Sequence, residues 1–259
     1  MSSCELTVFM PLVWSVALIS ARLLPVALMS PIFGGAQSPM HLRLGLVLSL
    51  ALFLHLPGGI AVTPALHTAE LLVGALREVV CGLALGLASS LPLDLARMTG
   101  RVIDQFRGSQ IDAAVAWGGG RESATGDVLY QYLLALVALS AVMPLVLRAL
   151  FATFSLVPLG GFALNEAITI QLVALVAATF SAALALGVPV AAASLALDAL
   201  AGIASRVNGS LNLSEHVAPV RLLAGAAMTC LALVTLGDQL LDAVVSSANH
   251  LRELAHANR

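Results

Sequence analysis

Asp238 and Asp242 stand four residues apart, the spacing that brings two carboxylates to one face of a helix, where a pair can hold a cation or exchange a proton. No third ligand lies nearby and the pair ends an apolar run, so a solvated or subunit-facing helix end is the preferred reading. Arg77 and Glu78 also interrupt an apolar run, and ionisable groups in such runs often mark ion or proton paths. Adjacent helical residues point about 100° apart, so these two cannot face each other and should pair with other helices or subunits. Asp94, Arg97, Arg101 and Asp104 recur at three- and four-residue intervals, which lines opposite charges along one helical face. Gly118, Gly119 and Gly120 suggest a phosphate loop, but no Lys-Ser or Lys-Thr follows and no strand is plausible before them.

The remaining reactive types add no constellation. The six histidines form no metal spacing, and no serine sits in a nucleophile motif. Cys4, Cys81 and Cys230 are too scattered for a metal site or a disulfide framework. The expectation is a protein that is not an enzyme, with no catalytic residue, no cofactor and no metal.

The elements that carry these residues are set by composition. Of 259 residues, 59% are hydrophobic and 10% charged, against about 25% charged in soluble domains, which marks an integral membrane protein. All twelve basic residues are arginine, and no basic block is present to serve a nucleic acid. A helix needs about 20 apolar residues to cross the hydrocarbon layer. Six segments qualify as candidates, at about 7 to 30, 41 to 57, 68 to 92, 127 to 150, 166 to 198 and 219 to 245. The expected fold is all-α, a single membrane domain over 1–259 built of helical hairpins with kinked or broken helices.

Several segments make poor lipid-facing spans. The first holds Arg22, Pro11 and Pro25, and the third holds Arg77 and Glu78 near its middle. A charge at mid-membrane costs about 2.5 to 3.5 kcal/mol on insertion scales, so such residues face protein or water. Much of the bundle should therefore be buried against partner subunits. The fifth segment, from Asn165 to Val207, would be about 65 Å long as one helix. Gly187 and Pro189 predict a broken hairpin or sharp bend within it, and Asn165 with Glu166 suits its amino-terminal cap. The third segment should continue beyond Pro92 as an amphipathic helix, with Leu95, Met98, Val102 and Phe106 on its apolar side.

Between the third and fourth segments runs RGSQIDAAVAWGGGRESATGD, Arg107 to Asp127, rich in glycine and small side chains. Residues alone leave two readings open, a flexible connector or a small-grained plug for a lumen.

The chain as a whole resembles the FliR/SctT family of type III secretion export-gate membrane proteins. ARLLPVALMSPIFGGAQSPMHLRLGL, with Arg22, Pro31, Pro39 and Arg43, is similar to the family's start. The run REVVCGLALGLASSLPLDLARMTGRVIDQFRGSQ resembles its helix-plus-loop pattern, through Glu78, Gly82, Gly86 and Ile103 to Gly108. FATFSLVPLGG resembles its Ser-x-x-Pro-Leu element at Ser155, Pro158 and Leu159. DALAGIASRVNGSLNLSEHVAPVRLL resembles its late Arg-to-Asn stretch, with Arg206, Asn212, Pro219 and Arg221. It departs from the pattern at Val207 to Ser210, where a proline is expected before the asparagine, and at Arg221, where lysine is common. IDQFRGSQIDAAVAWGGGRESATGD is more similar to the injectisome branch, SctT with its YscT, HrcT and SpaR relatives, than to flagellar FliR.

The resemblance implies an export-gate subunit in the bacterial inner membrane, joined to R-type and S-type subunits, a U-type switch protein and the inner rod or needle base. Their assembly encloses a conduit for unfolded exported proteins. It further implies that 107–127 is a plug-like loop facing the lumen, with Gly108, Ile111, Trp117, Gly118, Gly119 and Gly120 as its gate residues. Arg22, Arg77, Glu78, Asp94, Arg97, Arg101, Asp104, Arg107, Arg206 and Arg221 are the expected structural or inter-subunit charges. A small secondary transporter, with a midplane site at the broken fifth helix, is the alternative.

Overall fold

A computed structural model describes residues 3–34, 38–56, 68–107, 123–207 and 214–256 of the chain. Among the described residues the regular elements are all helical: α1 (Ser3–Met29), α2 (Met40–His55), α3 (Thr68–Arg107), α4 (Ala124–Leu139), α5 (Val142–Leu156), α6 (Glu166–Val207) and α7 (Ser214–His256), with one 3-10 turn at Pro31–Phe33. Among the described residues four helices are long and apolar enough to cross a membrane, within Pro11–Met29, Glu70–Arg107, Glu166–Arg206 and Pro219–Ala255, and α4 with α5 makes a fifth if the bent pair is one span. At 16 residues α2 reaches only about 24 Å, less than the hydrocarbon thickness of ~30 Å.

The helix break lies elsewhere than the prolines suggested. The fifth hydrophobic segment forms no hairpin at Gly187 and Pro189: α6 runs unbroken for 42 residues with Pro189 inside it. Gly187 packs so closely that a Cβ would come within 2.5 Å of the Val102 side chain, so contact with α3 holds the helix where the local breaker would release it. The interruption falls instead in the fourth segment, expected as one span. There Ser140 is extended at φ −94° and ψ 170°, and α5 starts at Val142. Pro144 explains the break, because in a continuous helix its ring would strike the carbonyl of Ser140. In the first turn of a new helix its missing N–H costs no bond.

The chain divides into two compact units. The first comprises Met1–Leu91, Ala141–Leu175 and Val244–Arg259. Its core gathers Ile19, Leu23 and Val26 of α1, Leu85 and Ala88 of α3, Leu150 and Phe154 of α5, and Leu251 of α7. Gly82 and Gly86, one helical turn apart, let α3 press onto α1. A Cβ on Gly82 would lie 2.2 Å from the Arg22 carbonyl oxygen, so only glycine fits there. Ser247 Oγ donates to the Ala88 carbonyl at 2.6 Å, and Asn165 Oδ1 caps α6 by accepting from Ile168 N at 2.8 Å, as the sequence predicted.

The second unit comprises Pro92–Ser140 and Val176–Ala243. α3 continues through Pro92 as expected. Its Gly100 crosses Gly126 of α4 backbone to backbone, and a Cβ on Gly100 would sit 2.2 Å from the Gly126 Cα. This crossing brings the last turns of α3 against the first turn of α4. It also sets the geometry of the second charged cluster.

Candidate functional site

Among the described residues two charged clusters stand out, one in each unit. In the first, Arg22 of α1 and Glu78 of α3 are fully buried and joined by two parallel hydrogen bonds, one of them 3.0 Å from Nη2 to Oε1. A forked guanidinium and a forked carboxylate suit each other in this way. The remaining Arg22 protons go to α5, where Nη1 reaches the carbonyls of Thr153 at 3.3 Å and Val157 at 3.2 Å, and Nη2 reaches Val157 at 3.1 Å. The Val157 carbonyl sits just past the helix end, where intrahelical donors run out, while the Thr153 carbonyl also accepts from Val157 N at 2.9 Å. Glu78 also accepts from Gly160 N at 2.6 Å, and Gly160 holds φ +77°, open to glycine but strained for other residues. The Phe154 ring lies 4.5 Å from the guanidinium carbon. Glu78 thus pairs with a helix of its own chain. Arg77, on the exposed side, makes one long contact of 3.4 Å to the Gly160 carbonyl.

The second cluster surrounds Asp104. Its carboxylate accepts from Ser123 Oγ at 2.5 Å, from Thr125 N at 3.0 Å and from Thr125 Oγ1. Ser123 is the N-cap of α4 and its Oγ accepts from Gly126 N at 2.9 Å. The first amides of a helix have no intrahelical acceptor, so Asp104 and Ser123 between them satisfy two. Arg107 Nη1 donates to Thr125 Oγ1 at 2.9 Å and to Asp104 at 3.4 Å, while Nη2 donates to the Leu222 carbonyl of α7 at 3.2 Å. In return Arg221 of α7 donates Nε to the Arg107 carbonyl at 3.2 Å and Nη1 to Asp198 of α6 at 2.9 Å. Gly225 makes room for Arg107, whose side chain would lie 2.4 Å from a Cβ there.

The expected charged face of α3 is therefore rearranged. Asp104 is buried against α4, whereas Arg101 is exposed. Arg97 lies with its guanidinium carbon 3.8 Å from the Tyr130 ring centre, and Asp94 is half-buried. The reason is register: the Gly100 crossing turns the Asp104 side of α3 toward the bare amides of α4. Arg206, Asp238 and Asp242 are exposed. No group of three potential metal ligands is present among the described residues. Gly108, Ile111, Trp117, Gly118, Gly119 and Gly120 lie outside the described residues; of the loop expected over 107–127, only Arg107 and the residues from Ser123 onward are described.

A family of bacterial export proteins, described as family 1, matches residues 13–246, which takes in both clusters and all seven helices in whole or part. The chain belongs to this family. No curated protein matches it. As a bacterial export protein with four to five helices able to span among its described residues, the chain is a multi-pass membrane component of an export apparatus.

Reasoning from sequence found Arg22, Glu78, Asp104, Arg107 and Arg221 but missed the residues that receive them. Ser123 carried the usual N-cap signal, a serine just before an apolar helix. Thr125 and Asp198 carried none. Gly100 and Gly126 are isolated glycines inside helical patterns, and such glycines often mark a close packing contact.

Proposed function

We propose that this export protein is a core export-gate subunit of a bacterial type III secretion system, of the injectisome SctT kind, seated in the inner membrane. It helps to form and close the conduit through which unfolded proteins leave the cytoplasm. The role is not enzymatic and calls for no cofactor. Its partners are the R-type and S-type subunits, the U-type switch protein and the inner rod or needle base.

The observation that carries the proposal is the outward face of α6. Ile170, Val173, Phe180, Leu184, Val188, Leu195, Leu200 and Ile203 are all exposed on this one helix, and only 22% of its most apolar window is buried within the chain. From Ile170 to Ile203 the helix rises about 50 Å, while the hydrocarbon layer is about 30 Å thick. Apolar surface that outruns the lipid needs protein to cover it, which favours partner subunits over a protein working alone. The midplane transporter loses its premise, since α6 is unbroken at Pro189 and both oxygens of Glu78 are engaged.

Within the assembly, 107–127 acts as the plug-like loop. Support comes from the two ends of this stretch: Asp104 and Arg107 in the last turn of α3 are hydrogen-bonded to Ser123 and Thr125 at the start of α4, so its ends meet at one point. Removing Ala113 to Gly120 should leave co-purification with R-type and S-type subunits intact and raise small-solute permeability at matched complex abundance. Unchanged permeability with normal assembly would sink the plug role, and stable behaviour as a lone monomer would sink the gate.

A further inference from the structure

Arg107 and Arg221 make an exchange that neither a loop anchor nor a subunit surface requires. The Arg107 side chain donates to the backbone of α7 at Leu222, and the Arg221 side chain donates to the backbone of α3 at Arg107. Each arginine has a second attachment: Arg107 to Thr125 in the first turn of α4, Arg221 to Asp198 near the end of α6. Four helices of the second unit therefore meet through two guanidinium groups. The carbonyl of Arg107, in the open last turn of α3, has Arg221 as a side-chain donor. The Arg107 stem lies against Gly225, where any Cβ would displace it.

We propose that the Arg107–Arg221 exchange is a conformational joint, which makes the first turn of α4 and the α6–α7 contact at Asp198 form and release together. Loosening Asp198 frees Arg221, and Arg221 then no longer fixes the end of α3. Arg107 and Asp104, both in the last turn of α3, lose their register on Thr125. The same sequence runs in the other direction from Thr125. Coupling of this kind is reciprocal in free energy, so a change at either end must be felt equally at the other. The joint depends only on described residues and stands whether or not the chain is a secretion gate.

The test is hydrogen exchange on the full-length protein in its purified membrane complex. The Thr125 and Gly126 amides report on the joint because their acceptors are Asp104 and Ser123. Asp198→Asn should speed exchange at Thr125 to Asp127 by about fivefold or more, the low end of ordinary allosteric coupling. Ser205→Ala, exposed on the same helix and outside the cluster, should leave it unchanged. Thr125→Val should in turn speed exchange around Arg221 to Leu223. If Asp198→Asn lost protection throughout the chain, Thr125→Val would still pose the question from the opposite end. Exchange at the far end equal to that of Ser205→Ala, in whichever variant stays folded, overturns the joint.

Discussion

Glu78 and Asp104 are both buried carboxylates on α3, one in each compact unit, yet they are satisfied by different means. Glu78 meets the full opposite charge of Arg22 in a paired fork and is wholly enclosed. Asp104 is held mainly by two hydroxyls and an amide from the first turn of α4, with Arg107 more distant at 3.4 Å. The positive end of the α4 dipole supplies part of the neutralisation that a cation supplies at Glu78. In the first unit a charge is cancelled by a charge. In the second it is dissolved among donors that belong to a helix start, so the same carboxylate both solvates itself and fixes where the next helix begins.

The sharpest way to break this contrast is Arg22→Ala. It strands Glu78 without a counter-charge and leaves the Thr153 and Val157 carbonyls without the Arg22 donors, a change that typically costs about 3 to 5 kcal/mol. The expected outcome is collapse of chain abundance and thermal stability in detergent. Replacing Arg22 and Glu78 together by Met should recover much of the loss, because an apolar pair leaves no charge unpaired. Failure of the double variant to recover would show that the α5 carbonyls, not Glu78, set the cost.

Gly100→Ala should come next, at about 3 kcal/mol, because overpacking at a backbone crossing forces the helices apart. Gly202→Ala in the same unit has nothing within 4 Å of its Cβ and should be neutral or stabilising by up to about 1 kcal/mol. Equal thermal shifts for the two would mean that the crossing is not tightly packed. Asp104→Asn keeps the shape but removes the charge, and about 1.5 kcal/mol is expected, read as a lower melting temperature without loss of assembly. A loss as large as that of Arg22→Ala would abolish the distinction between the carboxylates. Arg77→Gln should stay within about 0.5 kcal/mol, since its one contact is long and exposed.

The sequence exposed the charges of both clusters because ionisable side chains stand out against apolar helices. Their partners were hidden because they are mostly backbone groups: the carbonyls of Thr153, Val157 and Leu222 and the amides of Gly160 and Thr125. Every residue but proline carries both groups, so no pattern of side chains announces which ones a fold will turn inward. Helix identity was legible from hydropathy, and the Asn165 cap from its residue type. The break was misplaced because Pro144 and Pro189 look alike locally. Tertiary contact bears on the difference, since Gly187 is clasped by Val102 where the break in α6 was expected.

The bond from Ser247 to the Ala88 carbonyl joins residues 159 positions apart. It belongs to a unit assembled from the first ninety or so residues, a middle stretch and the last sixteen. On the ribosome, α1 and the start of α3 emerge long before Ser247 exists, so that unit cannot close until α7 has been made. Its close crossing at Gly82 and Gly86 is in place well before the contact from α7 can complete the unit. Distant closures of this kind fold slowly and leave sticky intermediates. If the chain is the gate subunit proposed above, the order of synthesis gives partner subunits a window in which to engage it before α7 seals the unit.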